Sequence, residues 1–319
     1  MSWNSNVHTQ EENEMDSQDV KNAISGVLVV DKPVGMTSHD VVQAIRNGTG
    51  LRRAGHTGTL DPRASGVLVI LVGPAVRLSE FVSASDKRYQ AIIRLGSTTD
   101  TFDADGKFTH SGEPVNVTEE QFETVLKTFI GEIEQTPPPY SAVKVQGRRA
   151  YEMARQGEEV ELAPRKITVH HLEVLEWAPP EVVIDVHCSS GTYVRSLAND
   201  LGTALGCGAY LVGLRRTKSG RFSLRDATPL RKLQEAFHAG NWYQYLIPAA
   251  EALAEWSAVE LNPDDVENVR HGHRVKAGVD AKPGLVRGVS TQGELVALMD
   301  LVTGETGEPE WQPKKVFFS

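Results

Sequence analysis

Apolar residues recur with different periods along this chain, and each period predicts a different element. Residues 67–72 read Val-Leu-Val-Ile-Leu-Val and are ended by Gly73-Pro74. So short a run, rich in β-branched residues, predicts a strand buried on both faces. Residues 87–95 alternate instead, placing Tyr89, Ala91, Ile93 and Leu95 on one face of a half-buried strand. A first strand is expected over 24–31. A helix capped by Ser38 should run to about Arg46, with Val41, Val42 and Ile45 on one side, before Gly48 and Gly50 stop it. A short helix is expected over 77–81. Thr118 and Gln121 have capping-box spacing and open a helix through Ile130, with Phe122, Val125, Leu126 and Phe129 as its core stripe. Residues 167–176 and 182–188 read as paired strands, 194–205 as a helix, 209–215 as a strand and 228–255 as helical. Beyond Val259, short alternating segments separated by glycines predict a small all-β barrel.

The chain has 319 residues, which favours two domains. Its longest apolar runs fall far short of the roughly 20 residues of a membrane span. Residues 1–23 are polar, carry Glu11, Glu12, Glu14, Asp16 and Asp19 against Lys21, and show no signal-peptide pattern. They are expected to be a disordered acidic tail. Two cysteines, Cys188 and Cys207, form no CxxC pair, which argues against a disulfide framework and against zinc. The turn-rich stretch 98–106 lacks the closing glutamate of a calcium loop.

The net charge of −9 argues against a polyanion partner only at first sight. Basic residues cluster at Arg52-Arg53, at Lys144, Arg148, Arg149 and Arg155, at Arg165-Lys166, and between Arg215 and Arg225. Polyanions respond to such local patches. The Pro137-Pro138-Pro139-Tyr140 segment opens a long excursion over about 137–166, basic and aromatic, of the kind that suits a binding loop.

The densest chemistry is the loop Gly55-His56-Thr57-Gly58-Thr59-Leu60-Asp61-Pro62-Arg63-Ala64-Ser65-Gly66. It delivers Asp61 beside the 67–72 strand, and Pro62 biases the aspartate's backbone towards an extended form. By itself the stretch also suits a structural turn in which Asp61 caps its own backbone. It is no phosphate cradle of the P-loop kind, which ends in Gly-Lys-Ser/Thr where this loop has Asp-Pro. Arg195 falls near the start of a helix, where a cation is disfavoured, so it needs an anionic partner.

Five motifs occur in one order: Lys32-Pro33-Val34-Gly35-Met36-Thr37-Ser38, Gly55 to Pro62, Asp86-Lys87-Arg88-Tyr89, Pro138 to Lys144, and Gly191-Thr192-Tyr193-Val194-Arg195-Ser196-Leu197-Ala198. Together they resemble the bacterial TruB family of tRNA pseudouridine-55 synthases over roughly residues 24–319. The resemblance implies an α+β fold. A pseudouridine-synthase-type catalytic domain, a mainly antiparallel mixed sheet with flanking helices, would occupy 24–255. A small β-barrel, PUA-like RNA-binding domain would occupy 256–319. It implies Asp61, Tyr89 and Arg195 as catalytic residues. Substrate binding falls to His56, Lys32 (which with Pro33 supports the site), Leu214, Lys144, Arg148 and Arg149. The implied reaction converts the T-loop uridine of tRNA to pseudouridine in the cytoplasm. No cofactor, metal, membrane or obligate protein partner is expected, and the chain is expected to be a monomer. Tyr89 would stack on a flipped-out base and is a candidate to take the C5 proton. A non-catalytic RNA-binding protein of the same fold is the competing reading, but binding alone does not demand the set Asp61, Tyr89 and Arg195.

Overall fold

The computed structural model of the chain describes residues 24–111, 115–141, 143–145, 147–156, 158, 162–278 and 280–317, and the acidic segment 1–23 lies outside the described residues. Its centre is a mixed sheet of eleven strands among the described residues. The main path runs Thr228–Pro229, Gly26–Lys32, Ala64–Val72, Ala209–Ser219, Lys87–Leu95, Glu181–Cys188, Arg165–Ala178, Gly131–Gln135. Two neighbouring pairs on it are parallel, Gly26–Lys32 with Thr228–Pro229 and Ala64–Val72 with Ala209–Ser219. The others are antiparallel.

Burial explains the two apolar periods. Leu68, Ile70 and Val72 join one core cluster, while Val67, Val69 and Leu71 join a second on the opposite face. A strand with core on both faces has no solvent side and therefore no polar alternation. Lys87–Leu95 does have one: Tyr89, Ala91, Ile93 and Leu95 are buried, and Arg88, Gln90 and Arg94 face water. The first core, under the helices Ser38–Thr49, Val194–Ala204 and Leu230–His238, is the side on which Tyr89 lies.

Three expectations are corrected. Thr37, not Ser38, caps the helix Ser38–Thr49, in a capping box with Asp40. The Ser38 hydroxyl is used elsewhere: it donates to the Leu60 carbonyl at 3.0 Å and accepts from the Leu60 N–H at 2.8 Å. Residues 228–255 are not one helix. Only Leu230–His238 is α-helical; Gly240, at φ +70°, follows it, and the short pair Ile247–Pro248 joins the sheet edge at Gly26–Val27. The C-terminal strands form an open five-stranded sheet, not a closed barrel, among the described residues: Ala258–Leu261, Val286–Ser290, Leu295–Thr303, Pro309–Val316, Val275–Lys276. The helix Pro263–Arg270 covers its core through Val269, packed with Leu261, Met299 and Trp311. A helix thus shields apolar surface that barrel closure would otherwise bury.

This second sheet docks on the face of Ala64–Val72 away from Tyr89. Leu295, Leu298 and Phe317 share a cluster with Val67, Val69 and Leu71. The Arg287 guanidinium donates to the carbonyls of Trp256 and Ala250 at 3.0 Å each. Among the described residues no helix is long and apolar enough to cross a membrane.

Candidate active site

The sheet order itself assembles the site. Arg216, on Ala209–Ser219, pairs with Gly66 on one side and with Tyr89 on the other. The loop that ends in Gly66 and the strand that carries Tyr89 therefore meet at one level, although they are separate in sequence. Gly66 adopts φ +98°, and a Cβ there would come 2.2 Å from the Arg216 carbonyl. Only glycine permits both that backbone and that approach.

The loop's backbone is tied down residue by residue. Ser38 holds Leu60. The Arg216 guanidinium donates from Nη2 to the Gly58 carbonyl at 3.0 Å and from Nη1 to the Thr59 carbonyl at 3.5 Å. The Pro62 carbonyl accepts from the Gly35 N–H at 2.8 Å and from Lys32 Nζ at 3.5 Å. The Asp61 carboxylate is thereby presented half-exposed from a rigid backbone, with 46% of its side chain accessible.

Arg195 meets it. Its Nε lies 3.1 Å from Asp61 Oδ2, and its side chain is only 9% exposed. The two terminal nitrogens make three further contacts, to Asp103 Oδ2 at 3.4 Å, the Thr101 carbonyl at 3.3 Å and the Tyr140 carbonyl at 3.0 Å. The anionic partner that its helix position called for is present, and there are two. The helix start is itself anchored to the segment before the proline run: Gln135 exchanges hydrogen bonds with the Tyr193 backbone, and Ser196 donates to the Thr136 carbonyl at 2.7 Å.

Tyr89 is buried, and burial raises its phenol above the ordinary tyrosine value; the adjacent Arg216 charge opposes that, and Asp61 reinforces it. His56 ends the strand Ala54–His56 and is half-buried, with Nδ1 unpartnered among the described residues. Burial first, then the Arg216 and His39 charges, push its imidazole down, which favours the neutral ring. Leu214 is half-buried and lines a small recess with Asp61, Ala64, Asp103 and Arg195.

Lys32 does not face that opening. It is fully buried, and its ammonium donates to the carbonyls of Met36 at 2.6 Å and Pro33 at 2.8 Å, besides Pro62. Burial brings it down to about 8, although the Asp61 charge pulls the other way. Lys32 thus braces the loop from beneath, and its burial leaves it no exposed surface.

The basic excursion is a different environment. Lys144–Val145 pairs with Arg148–Arg149 in a short hairpin, followed by the helix Ala150–Arg155. Arg148 is exposed and engaged within the excursion, with Glu158 at 2.9 Å and Gln156 at 2.7 Å. The side chains of Lys144 and Arg149 lie outside the described residues. Sequence reasoning misses Asp103, Tyr140 and Arg216. Asp103 sits in the turn set aside as a failed calcium loop, and no spacing rule connects it, or a backbone carbonyl, to Arg195. The double arginine Arg215-Arg216 is visible in the sequence, but there it reads as surface charge.

Comparison with known proteins decides the family. The description "TruB family pseudouridylate synthase (N terminal domain)" matches residues 46–194, and "tRNA pseudouridylate synthase B C-terminal domain" matches 195–254. The chain belongs to the TruB family of pseudouridylate synthases. A tRNA pseudouridine synthase B of Thiobacillus denitrificans is 44% identical over 285 residues, 89% of this chain and 95% of that protein. One from a Mycobacterium species is 41% identical, covering 86% and 92% respectively. Among solved structures, a chain of a Cbf5–Nop10–Gar1 complex superposes with a TM-score of 0.72 at 30% identity, covering 94% of this TruB-family chain and 87% of that one. A chain of an H/ACA ribonucleoprotein bound to a substrate RNA containing 2′-deoxyuridine gives 0.71 at 28%, covering 94% and 86%.

Proposed function

We propose that the chain converts uridine 55 in the T loop of tRNA to pseudouridine, and that Asp61, held by Arg195 and adjoined by Tyr89, is the centre of that reaction. The observation that carries the reading is a half-exposed carboxylate on an immobilised loop, ion-paired to a nearly buried arginine within a TruB-family chain. The reaction breaks the N1–C1′ bond, turns the uracil and joins C5 to C1′. It needs neither water nor a redox partner. A glycoside hydrolase uses two carboxylates, one of them protonated, to discharge its leaving group. Here the uracil spreads its charge over its own carbonyls and stays bound, so one ionised carboxylate suffices, and Arg195 supplies the opposite charge.

The target base must leave the folded loop to reach Asp61. Leu214 lines the small recess beside Asp61 at which it would arrive, and His56, whose imidazole burial pushes down, ends the strand that leads into the loop. Tyr89 takes the proton from C5 once the C-glycosidic bond has formed. The excursion 137–166 and the sheet of residues 256–319, in the role of a PUA-like module, contact the RNA through phosphates and loop shape, as RNA-binding proteins commonly do. The chain acts as a monomer.

Asp61→Asn is the decisive test. It keeps the size of the side chain and removes the carboxylate. Pseudouridine formation on a tRNA transcript should fall by at least about 10³-fold, with tRNA affinity within a few-fold of the parent. Turnover near the parent level would end the assignment of Asp61.

A further inference from the structure

Arg216 is a cation the reaction described above does not use. It is 2% exposed and the largest fully buried side chain of the described chain. Three of its hydrogen bonds go to backbone carbonyls: Val67 at 2.7 Å, Gly58 at 3.0 Å and Thr59 at 3.5 Å. Among the described residues no carboxylate lies within ion-pair distance of it. A guanidinium does not shed its proton in a protein, so the charge stays inside the core. Burying a charge without a counter-ion is costly, and carbonyl dipoles offset that only in part. Anchoring the loop does not by itself require a full charge, because neutral donors hold carbonyls well; Ser38 does so at Leu60.

The strand register shows where the charge is directed. Arg216 and Tyr89 are paired residues on neighbouring antiparallel strands, so their side chains leave the sheet on the same face with Cβ atoms about 5 Å apart. Gly66, the paired residue on the other side, has no side chain to stand between the guanidinium and the loop. The groups acting on the Tyr89 phenol are Arg216 from its own sheet neighbour, Cys188 from the Glu181–Cys188 strand, and Asp61 from the loop. Burial, Cys188 and Asp61 all disfavour the phenolate; Arg216 favours it, by charge and by hydrogen bonding.

We propose that Arg216 is a positioning residue that acts electrostatically, its unneutralised charge, set against Tyr89 from inside the core, offsetting part of the cost that burial places on the phenolate and so governing removal of the C5 proton. The inference rests on the reading that Tyr89 is the base for that step. In the step, the phenolate oxygen takes the proton from C5, the C–H electron pair restores the C5–C6 double bond, and the C6–N1 π pair moves onto N1. The phenol returns its proton to water and N1 draws one from the same pool. One proton moves from carbon to nitrogen overall, without oxidant or reductant.

The test removes the charge and then restores phenolate by another route. Arg216→Gln retains donors for the loop carbonyls but no charge. It should lower the single-turnover rate of pseudouridine formation by about 10²-fold and move the rising limb of the pH–rate profile to higher pH, with tRNA affinity little changed. Replacing Tyr89 in that variant by a difluorinated tyrosine, whose phenol is more acidic, should recover at least about tenfold of the loss. Arg216→Lys, which keeps a charge, should retain the parent pH profile and serves as the second variant if Arg216→Gln does not fold. No recovery with the acidic phenol in a folded Arg216→Gln, or a shifted profile in Arg216→Lys, would show a purely structural anchor and overturn the proposal. Tyr89→Phe in the parent background separates the two levels: if it forms product at the parent rate, the reading of Tyr89 as base fails, and the role of Arg216 with it.

Discussion

The Asp61 loop and the 137–166 excursion are both irregular, both bear charge and both are expected to meet RNA, yet they are built in opposite ways. The two cations that brace the loop from behind point inward. Lys32 and Arg216 are buried, and each spends its donors on backbone carbonyls. In the excursion, the charges of the described residues face water, and Arg148 pairs with Glu158 at the surface. Buried donors remove conformational freedom, which suits a carboxylate that must meet one bond in one orientation. Solvated pairs contribute little and exchange readily, which suits contact with phosphates. A cation's function follows from which side of the surface it occupies, not from its being a cation.

The effect that bears most on this comparison is expected where the two regions join, at Arg195, which holds both Asp61 and the Tyr140 carbonyl of the proline run. Arg195→Met should reduce pseudouridine formation by about 10²–10³-fold, since it strips the carboxylate of its countercharge and orienting partner. It should also lower unfolding free energy by about 2–3 kcal/mol, below the usual cost of breaking a buried pair because Asp61 is half in water. Denaturant titration and single-turnover assays measure the two effects; activity lost with unchanged stability would mean that Arg195 does not link the regions.

Arg148→Ala should act in the other direction: a two- to tenfold loss in tRNA affinity, a salt-dependence slope smaller by about 1, and no change in thermal midpoint. An unchanged slope would remove Arg148 from the RNA contacts.

The smallest effect sharpens the buried side of the comparison. Burial brings Lys32 from 10.5 to about 8, the Asp61 charge opposing. Because the folded value lies below the unfolded one, the unfolded chain holds more protons between about pH 8 and 10.5. The contribution of Lys32 to stability therefore rises with pH across that window and is flat below it. Lys32→Met should show a shallower rise in unfolding free energy over the window than the parent. Parallel curves would show that Lys32 keeps its water.

Much of this arrangement is legible in the chain. The unbroken run 67–72 and the alternation of 87–95 identify a doubly buried and a singly buried strand, because solvent exposure on one face leaves a period-two signature. Glycines, Pro62 and Asp61 mark the loop, and the N-terminal position of Arg195 on its helix demands an anion that Asp61 supplies. The cap is misplaced by one residue because Thr37 and Ser38 are chemically equivalent in sequence, and only the approach of Leu60 separates them. The 228–255 segment is overread as a helix because apolar content does not distinguish a helix from short turns packed on a sheet edge.

The strands with their buried faces, the loop that presents Asp61 and the family to which the motifs belong all follow from the chain read in order. They are local properties, set by side-chain period, backbone preference and residue identity. Three facts do not follow from it: Arg216 stands between Gly66 and Tyr89, Asp103 shares Arg195 with Asp61, and Lys32 faces inward. Those depend on strand order and on carbonyls contributed by distant segments. A sequence position carries the charge of an arginine or lysine, but its desolvation and its partners exist only after the sheet has closed around it.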